Sequence, residues 1–115
     1  MKETLTNYLL NREVMRKDTL YWIDKHKKWC KVQHTTPQQL TEKQAMDYIE
    51  HLLAQYYHRP TINYIVDRIT WYYTYLTEEQ QIIQNPFISR KVARAKKRTL
   101  KKATSMKYVP NRRDI

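Results

Sequence analysis

From Thr41 to Tyr56 the apolar residues fall at Ala45, Tyr48, Ile49, Leu52, Leu53 and Tyr56, that is at i, i+3, i+4, i+7, i+8 and i+11. This is the spacing of one face of an α-helix, and it predicts a helix that buries that face. Thr41 and Gln44 stand at capping-box distance at its start. A second stripe, Ile62, Ile65, Ile69, Tyr72, Tyr73 and Leu76, predicts a helix over about 60–76, with Pro60 suited to its first turn. Upstream, Leu20, Trp22, Ile23, Trp29 and Cys30 share one side of a helix expected over about 17–32, with Asp18 or Thr19 as N-cap. Lys25, Lys27, Lys28 and Lys31 fill much of its other side. Leu5, Tyr8, Leu9 and Leu10 offer a shorter patch in residues 1–15. A short fourth helix is expected over 78–84, stopped by Asn85-Pro86. No stretch alternates in the manner of a strand. The expected fold class is therefore all-α: a small bundle of three main amphipathic helices plus a short fourth.

The pattern breaks after Pro86. Residues 88–98, Ile-Ser-Arg-Lys-Val-Ala-Arg-Ala-Lys-Lys-Arg, hold too few apolar residues to predict a core face, so a basic linker or a fraying basic helix is expected there. Charge divides the chain at the same place. Residues 1–85 carry 11 Lys+Arg against 10 Asp+Glu, whereas residues 86–115 carry 11 against Asp114 alone. A near-neutral globule with nearly all of its +11 charge in one segment points to a polyanionic partner, most often nucleic acid.

Composition narrows the remaining classes. The 115 residues include ten Tyr and three Trp, enough aromatic surface for one modest core, and no Gly. Without Gly there is no dinucleotide fingerprint, no P-loop and no nucleophile elbow, which excludes the nucleotide-dependent enzymes built on them. A lone Cys30 suits a reducing compartment, and no apolar run reaches the ~18 residues of a membrane span. A soluble intracellular protein is expected.

Three groups of residues invite a chemical reading. His26, Cys30 and His34 recur at i, i+4 and i+8, but the outer two of such a set lie ~12 Å apart on a straight helix, too far to share one ion. Packed side chains at the core edge are the simpler reading, and no metal or cofactor is expected. Glu78-Glu79 reads as an acidic first turn. No spacing signals an enzyme, so none is expected of this chain. The basic residues, by contrast, gather in three places: Arg16 and Lys17 before the first long helix; His58, Arg59, Asn63, Tyr64 and Arg68 at the start and exposed side of the third; and Arg90, Lys91, Arg94, Lys96, Lys97, Arg98, Lys101 and Lys102 in the C-terminal segment. Helix starts and Lys/Arg clusters supply phosphate contacts, and Asn63 and Arg68 have the chemistry to reach base edges.

The order of these features resembles the core-binding domain of tyrosine recombinases, the phage-type integrases. Asp18-Thr19-Leu20-Tyr21-Trp22 with Trp29-Cys30 resembles the first helix of that domain, and Leu40-Thr41 with Tyr48-Ile49 and Leu52-Leu53 resembles the second. Pro60-Thr61-Ile62-Asn63, running through Ile69-Thr70-Trp71-Tyr72-Tyr73-Thr74-Tyr75-Leu76 to Asn85-Pro86-Phe87, is similar to the third helix and its exit. The resemblance implies a SAM-like bundle over 16–87 that forms half of a C-shaped clamp on duplex DNA. It follows a short N-terminal segment, 1–15, and precedes a basic interdomain linker, 88–115. It implies DNA contacts from Arg16, Lys17, Tyr21, His58, Arg59, Thr61, Asn63, Tyr64 and Arg68, with Arg90, Lys91, Arg94, Lys96, Lys97 and Arg98 in the linker. The catalytic domain of such enzymes would lie outside this chain: Tyr108 has no His-x-x-Arg context, and Pro110–Ile115 resembles the lead-in to that domain. The implied setting is a bacterial, phage or mobile-element protein in the cytoplasm, with other recombinase protomers as partners on DNA. The alternative is a helical interaction module whose basic segment binds RNA, an acidic protein or a membrane surface.

Overall fold

In a computed structural model, the chain is described over residues 3–56 and 58–105, with side chains through Lys101. The sequence readings placed on the Lys102 side chain, Tyr108 and Pro110–Ile115 lie outside the described residues. The fold is all-helical. It comprises α1 (Leu5–Asn11), α2 (Thr19–Val32), α3 (Glu42–Tyr56), α4 (Arg59–Glu78) and α5 (Arg90–Ser105), with 3-10 turns at Pro37–Gln39 and Pro86–Ile88. No helix is long and apolar enough to cross a membrane among the described residues.

Local chemistry starts and stops these helices. At α3 the expected capping box is formed in both directions: the Gln44 amide donates to Thr41 Oγ1 at 3.1 Å, and Thr41 N donates to Gln44 Oε1 at 3.0 Å. α1, α2 and α4 each end on a left-handed residue, Glu13 (φ 56°), His34 (φ 61°) and Gln80 (φ 62°). After α2, Thr35 N reaches Cys30 O at 2.9 Å and His34 N reaches Lys31 O at 3.0 Å, the paired bonds of a Schellman cap. The same pair closes α1 and α4. Glycine is the usual occupant of that position, and this chain has none.

α4 is the central helix. It packs against α1, α2, α3 and α5, and Ile62, Ile65, Val66, Ile69, Tyr72, Tyr73 and Leu76 are all buried. Burial on several sides explains why its buried set is wider than the stripe read from the sequence. α3 contributes Ala45, Tyr48, Ile49 and Leu52, and α2 contributes Ile23, His26 and Cys30. Leu20, expected on the core side of α2, is instead exposed.

Two expectations are corrected beyond α4. The short helix over 78–84 does not form: α4 ends at Glu78, and residues 79–84 make turns and bends that lead back to the bundle. The returning strand of chain is held by Asn85. Its Oδ1 accepts from Phe87 N at 2.9 Å, while its Nδ2 donates to Thr70 O and to Thr74 Oγ1, both at 3.1 Å. Pro86 and Phe87 are buried behind it, Phe87 against Tyr48 and Tyr73.

The second correction concerns the basic segment, which does present a core face. α5 lies on α3 and α4, with Val92, Ala95, Thr99 and Leu100 buried. Ser89 caps it, its Oγ accepting from Val92 N at 3.2 Å, and Thr99 Oγ1 donates to Glu50 Oε2 of α3 at 2.9 Å. Four small or apolar positions suffice because α3 and α4 already supply the rest of the apolar surface that they meet.

Candidate nucleic-acid interface

Around α5 the residues sort cleanly by angle. At ~100° per residue, Val92, Ala95, Thr99 and Leu100 share one side, and Arg90, Lys91, Arg94, Lys97, Arg98 and Lys101 share the other. All six cations are exposed; Lys96 falls between Val92 and Leu100 on the packed side and is half-buried. No acid lies within the helix, and among the described residues none of these seven cations forms an ion pair. Arg94, Lys97, Arg98 and Lys101 line an open groove of about 260 Å³. Such a face concentrates positive potential on a rigid support, the electrostatic footprint expected of a polyanion site.

A second group gathers where the starts of α2 and α4 meet. The Asp18 carboxylate was a candidate N-cap, but it makes no cap bond. It accepts instead from Trp22 Nε1 at 3.0 Å and, through a short hydrogen bond, from the Tyr64 hydroxyl of α4. Burial raises the Asp18 carboxyl, and the bonds from Tyr64 and Trp22 more than reverse this, leaving it below its ordinary value. Burial and the same carboxylate push the Tyr64 hydroxyl up. Tyr64 is thus a tie between helices, and its hydroxyl is committed to Asp18. Arg16 and Lys17 are exposed beside it, with Arg16 Nη1 donating to the carbonyls of Glu13 and Met15 at 3.2 and 3.1 Å. Tyr21 is 56% exposed, its ring edge-on to Trp22 and Lys25 Nζ 5.6 Å from its centroid. Lys25 is a member of this patch that the sequence left among the general surface lysines of α2.

On α4, Arg59 and Asn63 are exposed, and Thr61 and His58 are half-buried, with His58 Nδ1 3.2 Å from Thr61 Oγ1. Arg68 departs from expectation. Read from the sequence as lying on the exposed side of its helix, it is 5% exposed. Its Nη1 donates to Val14 O at 2.8 Å, Nη2 pairs with Asp67, and its guanidinium lies 5.1 Å from the Tyr64 ring centroid. It staples the segment before α2 to α4 and is not presented to a ligand. The tie is invisible in the α4 pattern because Val14 is 54 residues away.

The His26, Cys30, His34 spacing resolves as packing. His26 is fully buried among Trp29, Tyr48, Tyr73 and Phe87, with Nε2 2.8 Å from Tyr73 Oη and 3.6 Å from Cys30 Sγ. Burial lowers its pKa to about 3 and raises that of the Cys30 thiol to about 11. His34 sits apart, exposed, in the cap that ends α2. Among the described residues no three His, Cys, Asp or Glu side chains are grouped to hold a metal ion. His26 therefore sits at the centre of the core, where the sequence suggested its edge.

Comparison with family models, with curated proteins and with solved structures returns no match to this chain.

Proposed function

We propose that this chain is a duplex-DNA-binding helical domain, the core-binding half-clamp of a site-specific tyrosine recombinase whose catalytic residues are carried elsewhere. The observation that carries the DNA-binding part is the outer face of α5: six exposed cations, none in an ion pair among the described residues, on a helix locked to the bundle by its opposite side. The convergence of Arg16, Lys17 and Tyr21 with the start of α4, through the Asp18–Tyr64 bond, supports a second contact region of the kind that the recombinase resemblance implies. In this reading Arg59, Thr61 and Asn63 are the α4 residues that meet DNA, together with Arg90, Lys91, Arg94, Lys96, Lys97 and Arg98 of α5. Tyr64 and Arg68 are ties between chain segments and make no contact with DNA in this reading.

The membrane-surface alternative fares worse on one specific point. A helix lying in a lipid interface buries its apolar face in the bilayer, and the apolar face of α5 is already spent on α3 and α4. The deciding experiment is equilibrium binding of the full chain to labelled random duplex, single-stranded DNA and duplex RNA over a salt series. Preference for duplex DNA with a steep salt dependence is expected. Equal binding to all three, or a flat salt response, would overturn the proposal.

A further inference from the structure

The outer face of α5 is uniform in a way that narrows what it can recognise. From Arg90 to Lys101 its exposed residues are Arg90, Lys91, Arg94, Lys97, Arg98 and Lys101, with Ala93 as the sole uncharged one. It has no Asn or Gln to pair bidentately with adenine, no carboxylate to accept from cytosine, and no aromatic ring on which an unpaired base could stack. Arg90, Arg94, Lys97 and Lys101 run in a line over roughly 16 Å, at about 1.5 Å per residue. The line is straight and preformed, because Val92, Ala95, Thr99 and Leu100 are packed and Thr99 is bonded to Glu50. A rigid row of point charges suits a rigid row of phosphates. A single strand would have to be straightened onto it without the stacking that normally compensates.

We infer that α5 is a sequence-blind backbone clamp: its outer face binds the phosphodiester backbone of one strand of a duplex, and base discrimination, where there is any, comes from the α2/α4 junction. The inference rests on the DNA-binding reading above and divides it between two surfaces. A basic helix rich in arginine could instead enter the major groove and read guanines. The locked inner face argues against that, since α3 and α4 stand directly behind the helix and limit how deep it can go.

The test uses the full chain with Arg94→Ala, Lys97→Ala and Lys101→Ala combined, beside a Lys25→Ala, Asn63→Ala pair at the α2/α4 junction. Affinities are measured by fluorescence anisotropy on two duplexes of unrelated sequence and one single strand, from low to moderate salt, with circular dichroism as a check on folding. The α5 variant is expected to keep its helix content and to lose affinity for both duplexes by the same factor. Its log–log salt slope should fall by about 2.7, at about 0.9 per removed phosphate contact. An unchanged slope would overturn the clamp while leaving DNA binding by the chain intact. Unequal losses on the two duplexes would overturn its sequence-blindness. Failure of the unmodified chain to bind either duplex would overturn the DNA-binding reading itself, a distinct result.

Discussion

The guanidinium of Arg68 donates to the backbone carbonyl of Val14 at 2.8 Å, across 54 residues of sequence. That bond gives a charged residue a structural duty. Arg68→Ala removes a buried hydrogen bond and the cation–π contact of its guanidinium with the Tyr64 ring. We expect a loss of about 1–3 kcal/mol in urea denaturation, with DNA affinity per folded molecule unchanged. A neutral effect on stability with a large loss of binding would return Arg68 to the interface.

Asn85 bonds two levels of the fold at once. Replacement by Ala deletes its acceptor for Phe87 N and its donors to Thr70 and Thr74. Because the site is buried, about 2–4 kcal/mol should be lost. Thermal melting of Asn85→Ala beside Gln84→Ala, one residue earlier and exposed, provides the comparison.

His26 gives the chain an acid sensitivity of definite sign. Its folded pKa, about 3, lies below the ordinary value of 6.5, so between these values the unfolded state holds the extra proton. Its contribution to stability is complete above pH 6.5 and is lost as pH falls from there toward 3. The full loss is on the order of 5 kcal/mol, about 3.5 pH units at ~1.4 kcal/mol each. Urea midpoints measured from pH 7 to 4 should fall in the native chain, and the His26 share of that fall should vanish in His26→Phe.

The three left-handed caps are occupied by residues that pay a steric penalty there. Glu13→Gly, His34→Gly and Gln80→Gly should each stabilise the fold by about 0.5–1 kcal/mol, since the relief of backbone strain exceeds the entropy that Gly adds to the unfolded chain. Glycine at Lys28, an exposed position inside α2, should instead destabilise.

α5 should behave as part of the core. Leu100→Ala is expected to cost about 2–5 kcal/mol, and a chain ending at Ile88 should melt lower and bind hydrophobic dye. A full-stability truncated chain would show that α5 is an appendage.

Most of what the sequence determined is local. The stripes of α3 and α4 and the Thr41/Gln44 box depend on neighbours three to eleven residues away, whose spacing is fixed once the helix forms, so they can be read directly from the chain. The caps after α1, α2 and α4 are equally local in geometry, yet glycine-free sequence hid them. What tertiary structure alone decided are the meetings of distant segments. Val92, Ala95, Thr99 and Leu100 form a core face only because α3 and α4 complete it. Arg68 is buried only because Val14 arrives beside it, and His26 is central only because Phe87 returns over Tyr48 and Tyr73. Burial is a property of where the chain comes back, and the periodicity of one helix carries no record of the surface that will close over it.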